Sequence, residues 1–283
     1  MFTLKAENNR GEVLTLTQNK NYVVTLIEGI TGIQGEVNTS KRIGRDGSRK
    51  NSARAGERNI VIHIKPLFPV EENRQSLYKF FRSGRDVRLY FENKNRNVYI
   101  DGVVETSPDG SLFELSQTLQ VSIICPNPFF YDVNERVQSA SRIESSFEFP
   151  FSIEASGIPF SEIIKENMIV ISNDGDVEFG FTVEITCSGQ VVNPRIYKAD
   201  TGDFFGITST INEGDKVILN TISGERSVTL VRDGVSSNII NSIEQGSKWF
   251  TMDAGDNIFA WECESGTENV EFLFHPPCQY EGV

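Results

Sequence analysis

The sequence is poor in the residues from which catalytic and metal sites are built. It contains two histidines and four cysteines in 283 residues, and no two of the cysteines form a CxxC pair. Disulfide scaffolds and zinc sites normally show denser cysteine spacing, so we interpret the four as reduced thiols. Walker, GxSxG, HExxH and GxGxxG spacings are also missing. We therefore expect no enzymatic activity, no catalytic residues, no metal and no cofactor.

Long hydrophobic runs are missing as well. No apolar stretch approaches the roughly 20 residues of a membrane span, and the first residues lack the pattern of a secretory signal. We therefore predict neither membrane insertion nor export through a signal peptide. Only 3 Met stand beside 20 Phe and 23 Gly. With abundant Val, Ile and Thr, this composition favours β-structure.

Charge is distributed unevenly along the chain. Residues 1–132 carry 18 Lys and Arg against 15 Asp and Glu, a net charge of +3. Residues 133–283 carry 9 against 24, a net charge of −15. This asymmetry predicts two modules with different surroundings. The acidic module should not bind nucleic acid alone, because phosphate contacts depend on Lys and Arg.

The hydrophobic pattern predicts a mainly β chain with one helix in its first half. Ile60, Ile62 and Ile64 share one face of a strand, and a helical stripe follows between Pro69 and Gly84. Beyond a linker, strands alternate with turns as in an antiparallel β-sandwich. We predict a first module at 1–132, a linker at 133–148 and a second module at 149–283.

Residues 41–58, KRIGRDGSRKNSARAGER, interrupt this pattern. The segment holds seven basic and two acidic residues and three glycines, and almost no hydrophobic ones. We interpret it as a long exposed loop, a class that is usually functional or disordered. Three interpretations stay open: phosphate binding, a solvated linker, or ordering against an acidic surface on a neighbouring subunit. The segment has no aromatic residue for base stacking.

Several other residues are weaker candidates for sites. His63 lies in a strand pattern, and His275 stands close enough to Cys278 to suggest a Cys–His pair or a metal ligand. Asp174 and Asp176 occur in SNDGD, which is typical of a turn and only faintly of a calcium loop. For Trp249 and Trp261, the alternatives are a sugar-stacking platform and an ordinary aromatic core.

Taken in order, the segments resemble the distal tail proteins of long-tailed bacteriophages, the phage tail component family called Dit. The resemblance rests on the Gly29–Gly32 turn, the basic loop, LYKFF, YIDGVVE and CPNPFFYD in the first half. In the second half it rests on ISNDGD, INEGDKVILNTISGERSV, DAGDN and the ending YEGV. These pieces span nearly the whole chain.

The resemblance implies a fold and a role. It implies an N-terminal split β-barrel with one short helix and a long belt loop at 44–58, then a C-terminal galectin-like antiparallel β-sandwich. Six copies would form a ring through the belt, joining the tail tube protein to the tail-associated baseplate protein. DNA would pass through the channel as cargo, and a receptor-binding protein is a further implied partner. The implied location is the virion tail tip, or baseplate, after assembly in the cytoplasm of the bacterial host.

The belt residues are the site residues that we predict. The basic side chains would contact the neighbouring subunit, and the glycines would give the backbone its freedom. They are Gly44, Arg45, Gly47, Arg49, Lys50, Arg54, Gly56 and Arg58.

Two other functions stay open at this point. One is a carbohydrate-binding module for host adhesion, using the second module with Trp249 or Trp261. The other is a hydrolase of cell-wall polymer, for which no acid and base pair stands out.

Overall fold

The computed structural model describes residues 2–41, 43–44, 46–110, 117–134, 137–139, 141–144, 162–165 and 168–283. Within these ranges the chain is mainly β with one α-helix, which confirms the predicted fold class. The chain divides into two compact units, residues 1–134 with 279–283 and residues 135–278. None of the helices described has the length and apolarity needed to cross a bilayer.

The first unit is built on one antiparallel sheet. The elements of this unit are β1 (Thr3–Asn8), β2 (Val13–Thr15), β3 (Tyr22–Glu28), β4 (Gly35–Lys41), β5 (Ser48–Ala55), β6 (Arg58–Pro66), α1 (Val70–Phe80), β7 (Asp86–Glu92), β8 (Asn97–Asp109), β9 (Leu119–Cys125), β10 (Phe130–Asp132) and β25 (Gln279–Tyr280). The strands of the sheet pair in the order β2-β1-β7-β8-β9-β6-β3, and β10 pairs with both β8 and β25. Among the described strands this path does not close on itself, and the split barrel stays a prediction.

Alternating side chains and one amphipathic helix form the core of this unit. Ile60, Ile62 and Ile64 of β6 are fully buried, as their spacing predicts. The helix α1 starts after Pro69, carries two glutamates in its first turn and buries Leu77. Proline pre-sets the backbone at a helix start, and acidic residues suit the positive N-terminal end. The helix predicted between Pro69 and Gly84 is therefore present.

The second unit contains two larger antiparallel sheets. The strands are β11 (Gln138–Ser139), β12 (Ser141–Glu144), β13 (Glu162–Lys165), β14 (Met168–Asn173), β15 (Thr182–Cys187), β16 (Val191–Val192), β17 (Arg195–Lys198), β18 (Asp203–Gly206), β19 (Thr210–Ile211), β20 (Lys216–Asn220), β21 (Ser227–Arg232), β22 (Val235–Asn238), β23 (Gly255–Glu262) and β24 (Val270–His275). The six-stranded sheet has the order β11-β24-β15-β20-β21-β22, and the four-stranded sheet has the order β14-β23-β17-β18. The strands β12 and β13 form a separate pair, as do β16 and β19. Single 3₁₀ turns occupy Ile240–Ser242 and Thr267–Asn269.

Aromatic side chains join the two larger sheets into a sandwich. Phe259 of β23 stacks on Phe274 of β24 with ring centroids 5.2 Å apart. The rings of Trp261 and Phe272, from the same two strands, are tilted to each other with centroids 5.1 Å apart. Because β23 and β24 belong to different sheets, these contacts place the apolar faces of both sheets against each other.

Two predicted boundaries differ from the structure. Within the predicted linker 133–148, strand β11 pairs with β24 and so extends the six-stranded sheet. The YEGV ending, which we had assigned to the second module, lies in the first unit. There β25 pairs with β10, with Tyr280 opposite Phe130. A segment of two strand residues carries too little pattern to reveal its partner from sequence.

Candidate functional site

An exposed two-stranded arm stands out from the first unit. We define the arm as residues 35–55, which comprise β4, β5 and the connecting turn. The predicted long loop is wrong here, because β4 and β5 form an antiparallel ladder with one register shift between Asn38 and Thr39. At about 3.3 Å per residue, strands of seven and eight residues reach about 25 Å.

Every residue of both strands is exposed. The predicted exposure of residues 41–58 therefore holds for the described residues as far as Ala55, whereas Gly56 and Arg58 are buried. A two-stranded hairpin without a packed face is marginally stable in water. Among the described residues, the arm thus has no packing partner within its own chain.

The two faces of the arm differ in chemistry. One face carries the ion pair between Arg54 Nε and Glu36 Oε2, 2.7 Å apart, and the hydrogen bond from Asn38 to Ser52. The opposite face carries Val37, which is 59% exposed, directly across from Ala53. One side of the arm is therefore polar and the other has a small apolar area near its base.

The tip of the arm is basic around one apolar residue. Ile43 is fully exposed, and the neighbouring Gly44 has a positive φ of 77°, which glycine adopts without strain. Lys41, Arg49 and Lys50, at the ends of β4 and β5 that adjoin this turn, are exposed, as is the acidic Asp46 within it. Within the described residues these three cations take part in no ion pair. Arg45, which we had predicted as a belt residue, lies outside the described residues.

Arg58 anchors the base of the arm. Its Nε donates to the carbonyl oxygen of Pro128 at 2.6 Å, and its Nη2 donates to that of Glu281 at 2.6 Å. Nη1 donates to the carbonyl oxygens of Gly32, at 3.1 Å, and Gly29. The guanidinium also lies 4.7 Å from the ring centroid of Phe130. One side chain thereby ties together the segment entering the arm, the turn after β9 and the returning residues 279–283.

This arrangement corrects the predicted role of Arg58. The residue is 4% exposed, so its guanidinium is not available to another subunit. Burial lowers the pKa of Arg58 from its ordinary value, and the charges of nearby acidic groups offset part of this effect by raising it. Its position was readable from the strand pattern. Arg58 lies two residues before Ile60 in the same strand, and so on the same face as Ile60, Ile62 and Ile64. The alternation that buries those isoleucines therefore also turns Arg58 inward.

Gly29 is the second residue that fixes this base. It has a positive φ of 82°, and a Cβ atom there would lie 2.0 Å from the carbonyl oxygen of Asn59. Only glycine allows this approach of two backbone segments. Gly56, by contrast, has no positive φ, and its amide donates to the carbonyl oxygen of Gln34 at 2.9 Å. The structure thus assigns Gly29, which we had not named as a site residue, to the geometry of the arm.

The two tryptophans have the surroundings of aromatic core residues. Trp261 is 5% exposed and packs in the core, so its face is closed to a ligand. Trp249 is half-buried, 4.7 Å from the ring of Phe205, with Arg226 over its own ring. The aromatic core that we weighed as the alternative therefore accounts for both residues.

The remaining candidates have ordinary structural surroundings. His63 Nε2 lies 3.6 Å from Glu28 across two paired strands. His275 Nε2 lies 4.0 Å from Glu184. Asp174 accepts a hydrogen bond from Ser172 within a turn, as SNDGD indicates. Throughout the described ranges, no three His, Cys, Asp or Glu side chains are grouped as a metal site requires.

A polar cleft of about 460 Å³ lies in the second unit, where β17 begins and β23 ends. Arg195 there donates two hydrogen bonds to Glu244, at 2.6 and 2.5 Å, and a third to Glu262 at 3.1 Å. The hydrogen bonds to Glu244 and Glu262 raise the pKa of Arg195, and the hydrogen bonds from Tyr197 and Arg195 lower that of Glu262. The cleft therefore holds fixed, charged hydrogen-bonding groups.

Comparison with known proteins agrees with this architecture. Residues 174–276 match the family model described as the siphovirus-type tail component, C-terminal domain. Over 99% of both chains, the fold is similar to that of the Dit protein of phage SPP1, at 12% identity and a TM-score of 0.69. It is also similar to a chain of the phage P2 baseplate in its activated conformation with Ca, at 12% identity, full coverage of both chains and a TM-score of 0.51. No curated protein matches the chain.

These similarities confirm the resemblance stated from the sequence. The chain has the fold of the phage tail components, and in particular it resembles the distal tail proteins. The solved SPP1 protein is described as a paradigm of the hub of an adsorption apparatus in phages that infect Gram-positive hosts.

Proposed function

We propose that the chain is a structural hub of a phage tail tip, in which six copies form a ring around a channel. The ring would join the tail tube protein to the tail-associated baseplate protein, and DNA would pass through it. The proposal assigns no catalytic step to the chain.

The observation that carries this proposal is the arm. A ring requires a head-to-tail contact in which one surface of a subunit meets a different surface of the next. An arm about 25 Å long, exposed at every strand position and rooted in a rigid base, suits such a contact. The fold match to the SPP1 hub protein supports the same role.

Replacement of the arm tests the proposal. Residues 36–54 would be exchanged for Asn-Gly, which forms a tight hairpin turn between the paired residues Gly35 and Ala55. Arg58 and Gly29 stay in place, so both units should fold as before. Light scattering of the size-separated protein should change from a species near six times 31.7 kDa to one near 31.7 kDa.

A single exposed substitution on the polar face, Ser52→Ala, provides the matched control and should leave the mass unchanged. If the protein without its arm assembles like the native protein, the hub proposal fails. Rings seen in negative stain with the control protein and absent after arm replacement would support it.

The second candidate is a carbohydrate-binding module in the second unit. The polar cleft favours it, since sugar recognition depends on a few fixed polar groups in a concave site. Saturable binding of neutral cell-wall sugars that is lost in Arg195→Ala and kept in the surface variant Lys248→Ala would support it. Absence of binding across a broad panel would remove it.

A further inference from the structure

A groove in the first unit has the shape and charge to receive a small apolar knob. Its volume is about 510 Å³, and it lies where β1, β7, β8 and the turn after β9 meet. Val103 and Pro126 contribute apolar surface, and Val87, which is 3% exposed, lies at the floor next to its paired residue Gly102. A Cβ atom at Gly102 would lie 2.6 Å from Ile123 and 2.9 Å from the sulfur of Cys125, both fully buried, so Gly102 allows close packing of the core beneath the groove.

The rim of this groove is acidic. Glu7, Asp86 and Asp101 line it, together with the single cation Arg88. Arg88 donates hydrogen bonds to both carboxylate oxygens of Asp101, at 2.6 and 2.9 Å, which compensates its charge. Asp86 is exposed, and within the described part of the chain no cation pairs with it. The rim therefore offers uncompensated negative charge around an apolar pocket.

The tip of the arm has the complementary arrangement. Ile43 is a fully exposed branched aliphatic side chain, and Lys41, Arg49 and Lys50 at the adjoining strand ends form no ion pair within the described residues. Against these three cations, the described part of the turn contains one acidic residue, Asp46. Large apolar side chains in such a position are typical anchors of interfaces, and a ring of charge around them sets partner choice. Since Ile43 is fully exposed, the groove of its own chain does not hold it.

From this complementarity we propose that Ile43 at the tip of the arm inserts into the groove lined by Val87, Val103 and Pro126 on a second copy of the chain. Lys41, Arg49 and Lys50 then face the acidic rim that Asp86 and Glu7 provide. The inference rests on the proposed ring, and it names the surface that accepts the arm.

Two substitutions test the contact from both sides. Ile43→Asp places a charge opposite an acidic, apolar site and should raise the concentration at which the assembly dissociates by about tenfold or more. Asp86→Lys in the groove should weaken assembly as well, and Lys50→Glu combined with Asp86→Lys should recover part of the loss. Val235→Asp, at a strand position 68% exposed in the second unit, is the matched control and should have no effect.

Directed cross-linking then places the contact. One protein would carry Ile43→Cys and the other Asn127→Cys on the groove rim, both in a Cys263→Ser background because the other three native thiols are buried. After mixing and mild oxidation, a disulfide-linked dimer should form between the two variants. A pairing of Ile43→Cys with Ser236→Cys in the second unit should give none.

The results separate this inference from the hub proposal. If arm replacement abolishes assembly but Ile43→Asp has no effect and the cross-link fails, the groove assignment is overturned and the hub proposal stands. If arm replacement itself leaves the assembly intact, the hub proposal fails, and this inference fails with it.

Discussion

Replacing Arg58 by methionine should destabilise the first unit strongly without altering the second. Methionine keeps most of the volume of the side chain and removes all its donors. Four carbonyl oxygens then lose a charged donor, those of Gly29, Gly32, Pro128 and Glu281.

The magnitude follows from two opposing contributions. Four hydrogen bonds from a charged group, at about 1.5 kcal/mol each, amount to about 6 kcal/mol. Removing the buried cation also removes its desolvation cost, which is several kcal/mol. We therefore expect a net loss of about 3 kcal/mol in the free energy of unfolding, since the desolvation cost offsets about half of the hydrogen-bond contribution. For a unit of this size that corresponds to a decrease in Tm of about 10 °C.

The positions of the tryptophans make this loss measurable unit by unit. Both tryptophans, Trp249 and Trp261, lie in the second unit, so their fluorescence reports only its unfolding. The far-UV circular dichroism transition of the first unit should shift in Arg58→Met, whereas the fluorescence transition should not. Arg49→Met, on the exposed arm, is the control and should change stability by less than about 0.5 kcal/mol.

The stability of Arg58→Lys should lie between those of Arg58→Met and Arg49→Met. A lysine keeps the charge but has no planar group that reaches the same set of carbonyls. Equal stability of Arg58→Met and Arg49→Met would refute the assignment of Arg58 as the anchor of the arm.

Three further predictions concern other contacts. Tyr280→Ala should lower the stability of the first unit by about 3 kcal/mol, because a buried ring under the guanidinium of Arg96 is lost, and circular dichroism should detect this without a change in tryptophan fluorescence. Burial raises the pKa of the Cys263 thiol to about 11. In the folded protein this thiol should therefore react with a thiol reagent at pH 8 about 100-fold more slowly than a free cysteine, and an equal reaction rate would contradict the prediction. Hydrogen bonds from Arg232 lower the pKa of Asp215. The stability that the ionised carboxylate contributes is therefore present above about pH 4 and is lost as the pH falls through the lowered pKa. Asp215→Asn should lower the Tm of the fluorescence transition by about 3 °C at pH 7 and by less at pH 3.

Alternation and turn chemistry revealed most of the fold. The isoleucines of β6, the helix after Pro69 and the sandwich strands of the second unit all follow local patterns, since each buries one face. The arm was misread as a loop because both of its faces are exposed, so its strands carry no alternation of apolar and polar residues. A hairpin that packs on no described part of its own chain leaves no hydrophobic signal in the sequence.

The site residues that local sequence patterns predict differ from those that depend on contacts between distant parts of the chain. Exposure of Arg49, Lys50 and Arg54 was predictable from charge density, because Lys and Arg are seldom buried. Arg58 was the exception, and its role depends on carbonyls at distant positions such as Pro128 and Glu281, which no local pattern connects. Tertiary contacts of that range are invisible to spacing rules.

The return of residues 279–283 to the first unit has a consequence for the order of synthesis. Strand β25 and the carbonyl of Glu281 belong to the first unit, yet they follow the entire second unit in the sequence. On the ribosome, where residues emerge from the N-terminus onward, the second unit can fold before the first unit has its last strand. The base of the arm is thus completed only after Glu281 has been made, because its carbonyl accepts a hydrogen bond from Arg58. Until then, a nascent chain holds β4 and β5 without the finished anchor at their base.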